Sequence, residues 1–323
     1  MVTRMEEPLQ TSFTRLVGCR HPLQQAAMGG VSGPELASAV ARAGALGMLC
    51  EFDALESADE RMTNALAGAD GGAVGMGFFG HRVQDDLATF EAAAARLRVV
   101  EVFWTTPDPL LVSRARSAGV ALVAWQVGSL DHALAAQDAG CDFVIAQGVE
   151  AGGHVRGTQP LEQLLREVSE RVSIPVVAAG GIATAESAAW AVDAGAAAVR
   201  VGTAFVATQE SRAHPVYIDA LLAAQSADDT VLTTGFSGGW PDAPHRVLKS
   251  ALAAAEAFEG DVVAEGGPPG ARRPIARFSS ATPSRHVEGR IDAMALYAGT
   301  GVASVTSVPP ASDLVAALVS RLG

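Results

Sequence analysis

The run Gly148-Val149-Glu150-Ala151-Gly152-Gly153-His154 ends a glycine-rich loop on a single imidazole. Among the side chains there, only imidazole titrates near neutral pH, so proton transfer to or from a bound molecule is the chemistry it offers. The glycines let backbone N–H groups come close to a ligand. The loop follows the apolar stretch Phe143–Ala146 and precedes a helical pattern starting at Pro160. Loops between a strand and the next helix are where parallel α/β folds bind ligands.

Two later turns share this character. Ala179-Gly180-Gly181-Ile182 leads into a helix at Thr184, and Gly202-Thr203-Ala204-Phe205 follows the apolar run Ala198–Val201. Neither turn contains lysine. An anion held there would rely on backbone N–H donors, at roughly 1.5–3 kcal/mol per bond to a charged acceptor. A helix terminus adds only about 0.3–1 kcal/mol at an exposed site. One glycine turn alone reads as a tight turn; two glycine turns at consecutive late positions point to a phosphate. Met28, Gly77, Phe78, Phe79, Trp104, Gln126 and Gln147 fall at the ends of other apolar runs. That apolar lining with amides suits a flat heteroaromatic ring.

The elements that must position these residues repeat. Strands are expected at Leu23–Ala27, Leu46–Cys50, Ala73–Phe78, Val99–Trp104, Val120–Gln126, Phe143–Ala146, Val176–Ala179 and Ala198–Val201. Helices are expected between them at Gly33–Ala43, Leu55–Ala67, Val83–Ala95, Pro109–Ala118, Leu130–Ala139, Leu161–Val172 and Thr184–Ala194. Several end in Ala-Gly, the signature of a left-handed C-terminal cap. Eight strand–helix units predict a (β/α)8 TIM barrel. The rival, a doubly wound open sheet, lacks its GxGxxG turn after the first strand. Beyond Val201 the rhythm changes. Residues 207–294 show helical patterns at Tyr217–Gln225 and Pro244–Phe258, then a Pro/Gly/Arg-rich stretch, and no evident strand. The expected organisation is a barrel over 1–206, completed by 295–323 with a last helix at Ser312–Leu322. A helical substrate or lid subdomain is expected over 207–294.

With 323 residues, 49% of them hydrophobic, the chain can bury one large core. Its net charge of −12 argues against nucleic acid and anionic membranes as partners. The apolar stretch Ala188–Val201 is too short and, with Asp193 and Arg200, too charged to span a bilayer. Cys19, Cys50 and Cys141 are odd in number and far apart, with no metal-binding spacing, which suggests reduced thiols and a cytoplasmic protein. Arg4, Glu6, Glu7 and Pro8 leave no apolar region for a signal peptide.

Gln25-Ala26-Ala27-Met28-Gly29-Gly30, the Gly148–His154 loop, Ala179–Ile182 and Gly202–Phe205 together resemble the nitronate monooxygenases, formerly 2-nitropropane dioxygenases. Thr208–Pro215 and Tyr297-Ala298-Gly299 look like signatures of the same family. The resemblance implies an FMN-dependent flavoprotein oxidoreductase. The FMN phosphate would lie on Gly181, Gly202 and Thr203, and its ring over Ala27, Met28 and Gly29, with Gly77, Gln126, Gln147, Gly152, Gly153, Ala179 and Gly180 around it. His154 would face the reacting carbon, and O2 would reoxidise the flavin. The expected partners are a small nitronate or related anion and O2, with homodimer formation left open. Arg156, Trp104 and Tyr297 are the candidate substrate contacts.

The chain departs from the family pattern in places. Gly75-Met76-Gly77 stands where a Gly-Val-Asn-like run is usual, Ala27 replaces a proline, and Thr300 follows Tyr297-Ala298-Gly299. His81, His245 and His286 could reach the barrel mouth, with packing or solvation as the default; His21, His132 and His214 read as structural. Arg200 shares the inward parity of Gly202, and an internal ion pair is its ordinary reading. Two other functions stay open: an FMN- and NAD(P)H-dependent enoyl-thioester reductase, and a flavin-binding protein without turnover.

Overall fold

The computed structural model describes residues 9–51, 57–268 and 270–322. The first residues of the helix expected at Leu55, and the charged N-terminal residues Arg4 to Pro8, lie outside them. Eight parallel strands make the barrel: β1 (Leu23–Gln25), β2 (Gly47–Cys50), β3 (Val74–Phe79), β4 (Val99–Phe103), β5 (Leu122–Val127), β6 (Phe143–Gln147), β8 (Val176–Ala179) and β9 (Ala198–Val201). Each pairs in parallel with its neighbour, and β9 returns to β1. Between β1 and β2 the barrel closes through a bridge, Gln24 to Leu46, with Leu46 N–H donating to Leu23 O at 2.9 Å.

Strand alternation divides the core in two. Outward residues such as Val100, Val102, Val144 and Val199 pack under the helices. Inward residues Met48, Val99, Ala124, Ile145 and Val177 fill the lower barrel. The N-terminal lead-in is a helix, Ser12–Val17, whose Phe13 and Val17 close that end. Phe13 meets Phe143 edge-on, with ring centroids 5.4 Å apart. The expected helix ends hold: Gly44, Gly119, Gly140 and Gly195 all adopt positive φ. The helix expected from Val83 instead starts at Leu87, because the Asp86 side chain accepts from Thr89 N–H and caps it there.

The segment after β9 is not purely helical. Its expected helices are present at Pro215–Ala223 and Lys249–Ala257. It also contains β10 (Thr230–Thr233), β11 (His245–Leu248), β12 (Val262–Gly266), β13 (Arg273–Ala276) and β14 (Glu288–Gly289). These strands are too short to show alternation, and they exist through long-range pairing. β11 pairs antiparallel with β10 on one edge and, on the other, with β7 (Gly153–His154) in the glycine-rich loop. This recruitment takes His245–Leu248 out of the helix expected from Pro244. β12, β13 and β14 form a second three-stranded sheet.

Candidate active site

A cavity of about 1040 Å3 opens at the C-terminal ends of the barrel strands and extends beneath the inserted segment. Fifteen of the expected residues line it: Ala27, Met28, Gly29, Gly77, Gln126, Gln147, Gly152, Gly153, His154, Ala179, Gly180, Gly181, Gly202, Thr203 and Tyr297. They are brought together because each barrel strand ends on the same rim. Trp104 contributes its ring to the wall around His154. Arg156 is not among the lining residues. The loop it belongs to packs against Gly128, and its charge adds to burial in lowering the pKa of His132. Glu150, in the same loop, accepts from Leu161 N–H at 3.0 Å and caps the following helix.

The glycine-rich loop is held from three directions. Its last two residues are β7, with Gly153 opposite Arg246 and His154 opposite His245. The Arg246 guanidinium donates twice to Val149 O, at 3.0 and 2.7 Å. A Cβ at Gly152 would come within 2.6 Å of Gly299 N, so only glycine lets the loop pack on Tyr297-Ala298-Gly299. Gly299 N–H in turn donates to Thr203 Oγ1 at 3.0 Å, tying the expected phosphate turn to the same segment. Gly180 and Gly181 both adopt positive φ, and this turns their backbone into the cavity wall.

Two buried polar atoms lack partners here. Gln147 donates through Nε2 to His154 O at 3.1 Å, but its Oε1 is unsatisfied. His154 Nε2 is likewise buried without a partner. Such atoms are costly unless a ligand completes them. A flavin fits this cavity: the glycine turns supply backbone donors, and Gln126 and Gln147 offer amides to a heteroaromatic edge.

His154 lies in an aromatic box. Trp240 stacks on it with centroids 4.0 Å apart and planes at 25°, and Trp104, Tyr297 and Phe79 stand at 5.7, 5.6 and 6.4 Å. Burial, then His245 and His81, push its pKa down to about 3, so the imidazole is neutral. His245 is buried too; its Nε2 accepts from Phe236 N–H at 3.1 Å and its Nδ1 bonds Ala243 O at 2.8 Å. Trp104 adopts φ of +68°, a conformation rare for a bulky residue. Trp125, by contrast, is a core residue. His81 and His286 line the cavity, while His21, His132 and His214 do not.

Sequence reasoning missed Trp240, Glu51 and Glu101. Trp240 follows Gly238-Gly239 in a loop with no periodicity, and no local signal marks it. Glu51 lines the cavity with Oε1 accepting from Phe79 N–H at 3.2 Å; burial pushes its pKa up to about 7. The departure at residue 77 also finds its reason. A Cβ there would stand 2.6 Å from the Ala27 Cβ, so Ala27 and Gly77 are complementary.

The nitronate monooxygenase family model matches residues 10–70 and 79–321. The chain belongs to the nitronate monooxygenase family. A nitronate monooxygenase of Pseudomonas aeruginosa is 30% identical over 96% of this chain and 98% of its own length. The solved structure of a nitroalkane oxidase from Streptomyces ansochromogenes is 31% identical with a TM-score of 0.73, covering 97% of this chain and 98% of that one. A (3aS,4S,5R,7aS)-5-hydroxy-7a-methyl-1-oxo-octahydro-1H-indene-4-carboxyl-CoA dehydrogenase of Rhodococcus jostii is 36% identical over 76% of this chain and 67% of its own length. Membership makes this chain a flavin-dependent oxidoreductase. Among the described residues no helix is long and apolar enough to cross a membrane, and no cluster could hold a metal ion.

Proposed function

We propose that this chain binds FMN and oxidises alkyl nitronates, and their parent nitroalkanes, with O2 to a carbonyl compound and nitrite. One observation carries the reading: a buried, neutral imidazole whose Nε2 has no partner, beside a glycine-walled cavity fit for a flavin. FMN, when bound, accepts the substrate's electrons and passes them to O2. Gly181, Gly202 and Thr203 would hold its phosphate, Ala27, Met28 and Gly29 would lie against its ring, and Gln126 and Gln147 would bond its polar edge. Removing the α-proton of a nitroalkane falls to His154 Nε2, which burial keeps unprotonated near neutral pH. The resulting imidazolium lies against the Trp240 face, where a cation gains roughly 0.5–2 kcal/mol. Phe79, Trp104 and Trp240 keep water from that proton.

A second reading is supported by the rest of the cavity lining, which beyond the barrel rim includes Gly266, Gly267, Pro268, Arg273 and His286, more wall than a small nitronate needs. The relative named as a carboxyl-CoA dehydrogenase is consistent with a bulkier thioester substrate. Anaerobic mixing separates the two. Bleaching of the yellow protein by propionate 3-nitronate alone supports the first. Bleaching by NADPH but not by the nitronate supports thioester reduction. No bleaching by either leaves a flavin carrier.

A further inference from the structure

Below the cavity the barrel interior is apolar: Met48, Val99, Ala124, Ile145 and Val177. One layer higher the chemistry changes. Arg200 of β9 donates to Glu101 Oε1 on β4, and Gln24 Nε2 of β1 donates to Glu101 Oε2 at 2.7 Å. Both carboxylate oxygens are thus engaged from two adjacent strands, on which Gln24 and Arg200 are register partners. The side chains of Glu101 and Arg200 are 2% and 8% exposed.

An ion pair in this position is a weak stabiliser, because desolvating two charges offsets most of their attraction and an apolar pair of equal volume serves as well. Its placement says more. Arg200 and Glu101 both line the cavity. Among the described residues Glu101 is the one side-chain partner of Arg200, and no Arg200 nitrogen is buried without a partner. Its spare N–H donors therefore open onto the cavity. Along β9 Arg200 shares the inward face with Gly202, two residues on, at the turn assigned to the cofactor phosphate.

We propose that Arg200, oriented by Glu101 and Gln24, is a cofactor-facing cation that raises the reduction potential of the bound flavin. The inference rests on flavin binding but not on nitronate as substrate. A flavin gains negative charge along its N1–C2=O edge on reduction. A fixed guanidinium in a water-poor cavity favours that charge over the neutral oxidised ring. Glu101 holds the guanidinium in place and moderates its field.

The test uses the flavin-loaded full chain as wild type, E101Q, and the double variant R200Q/E101Q, which strands no buried charge. Two quantities are read: the two-electron midpoint potential, and the affinity for sulfite, which adds at flavin N5 and leaves negative charge on the pyrimidine. Removing the counter-charge in E101Q should raise the potential and tighten sulfite binding. Removing both charges should favour oxidised over reduced flavin at least tenfold relative to wild type, a drop of about 30 mV, with sulfite weakened by a similar factor. If the double variant does not fold, E101Q alone decides, since a packing role predicts lower stability without a change in potential. Unchanged potential and sulfite affinity in a flavin-loaded variant overturn the proposal. A wild type that takes up no flavin ends it together with the flavin reading. A flavin that nitronates cannot reduce ends only the nitronate reading.

Discussion

Trp240 lies flat on His154, ring centroids 4.0 Å apart, although one comes from a loop of the insertion and the other from the rim of the barrel. The same indole meets Phe79 at 4.7 Å and Trp104 at 5.0 Å, so it closes the box around the imidazole. Removing it as Trp240→Ala hydrates His154. Because burial is the main cause of the depressed pKa, that pKa should rise toward 6.5. Kcat/KM for a neutral nitroalkane should then gain an acid limb between about pH 4 and 6 that wild type lacks. Superimposable pH profiles for the two proteins would remove Trp240 from this role.

His154→Asn keeps the loop pairing with β11, which is a backbone interaction. It should bind FMN with little change and lose about 10²–10⁴-fold in turnover of neutral nitroalkanes, the usual worth of a positioned base. Preformed nitronates need no proton removed and should suffer less. Equal losses on both substrates, measured by steady-state oxygen uptake, would assign His154 to substrate binding instead.

Gly77 and Ala27 fill one space between them. Gly77→Asn alone forces a Cβ to 2.6 Å from the Ala27 Cβ and should cost about 1–3 kcal/mol as overpacking. Adding Ala27→Gly should return most of that loss. Urea unfolding of the single and double variants measures it, and an additive result would contradict the shared space.

Glu51 has its carboxyl pushed up to about 7 by burial. Below the ordinary carboxyl value of 4.5 it is protonated in both states and costs nothing. Between there and pH 7 the folded chain keeps a proton that the unfolded chain releases, so stability falls as pH rises, by at most about 3 kcal/mol in all. Glu51→Gln should therefore match wild type at pH 4.5 and melt several degrees higher at pH 8. A melting-temperature difference that does not depend on pH would contradict this linkage.

The eight-unit rhythm, the Ala-Gly helix ends and the glycine turns were readable along the chain, since period, cap and turn are properties of neighbouring residues. So were His154 and most of the cavity wall, because each belongs to a loop at the end of a strand, and a barrel gathers those ends on one rim. What no local pattern carries is who meets whom from different strands. The two-residue strand at Gly153–His154 exists only because Arg246 and His245 pair with it. Trp240 reaches the imidazole from a loop without periodicity, and Arg156, next but one to His154, turns out of the cavity. Arg200 announced its inward parity, but its partners Glu101 and Gln24 could be assigned only once the barrel had closed and set β1, β4 and β9 around a common interior.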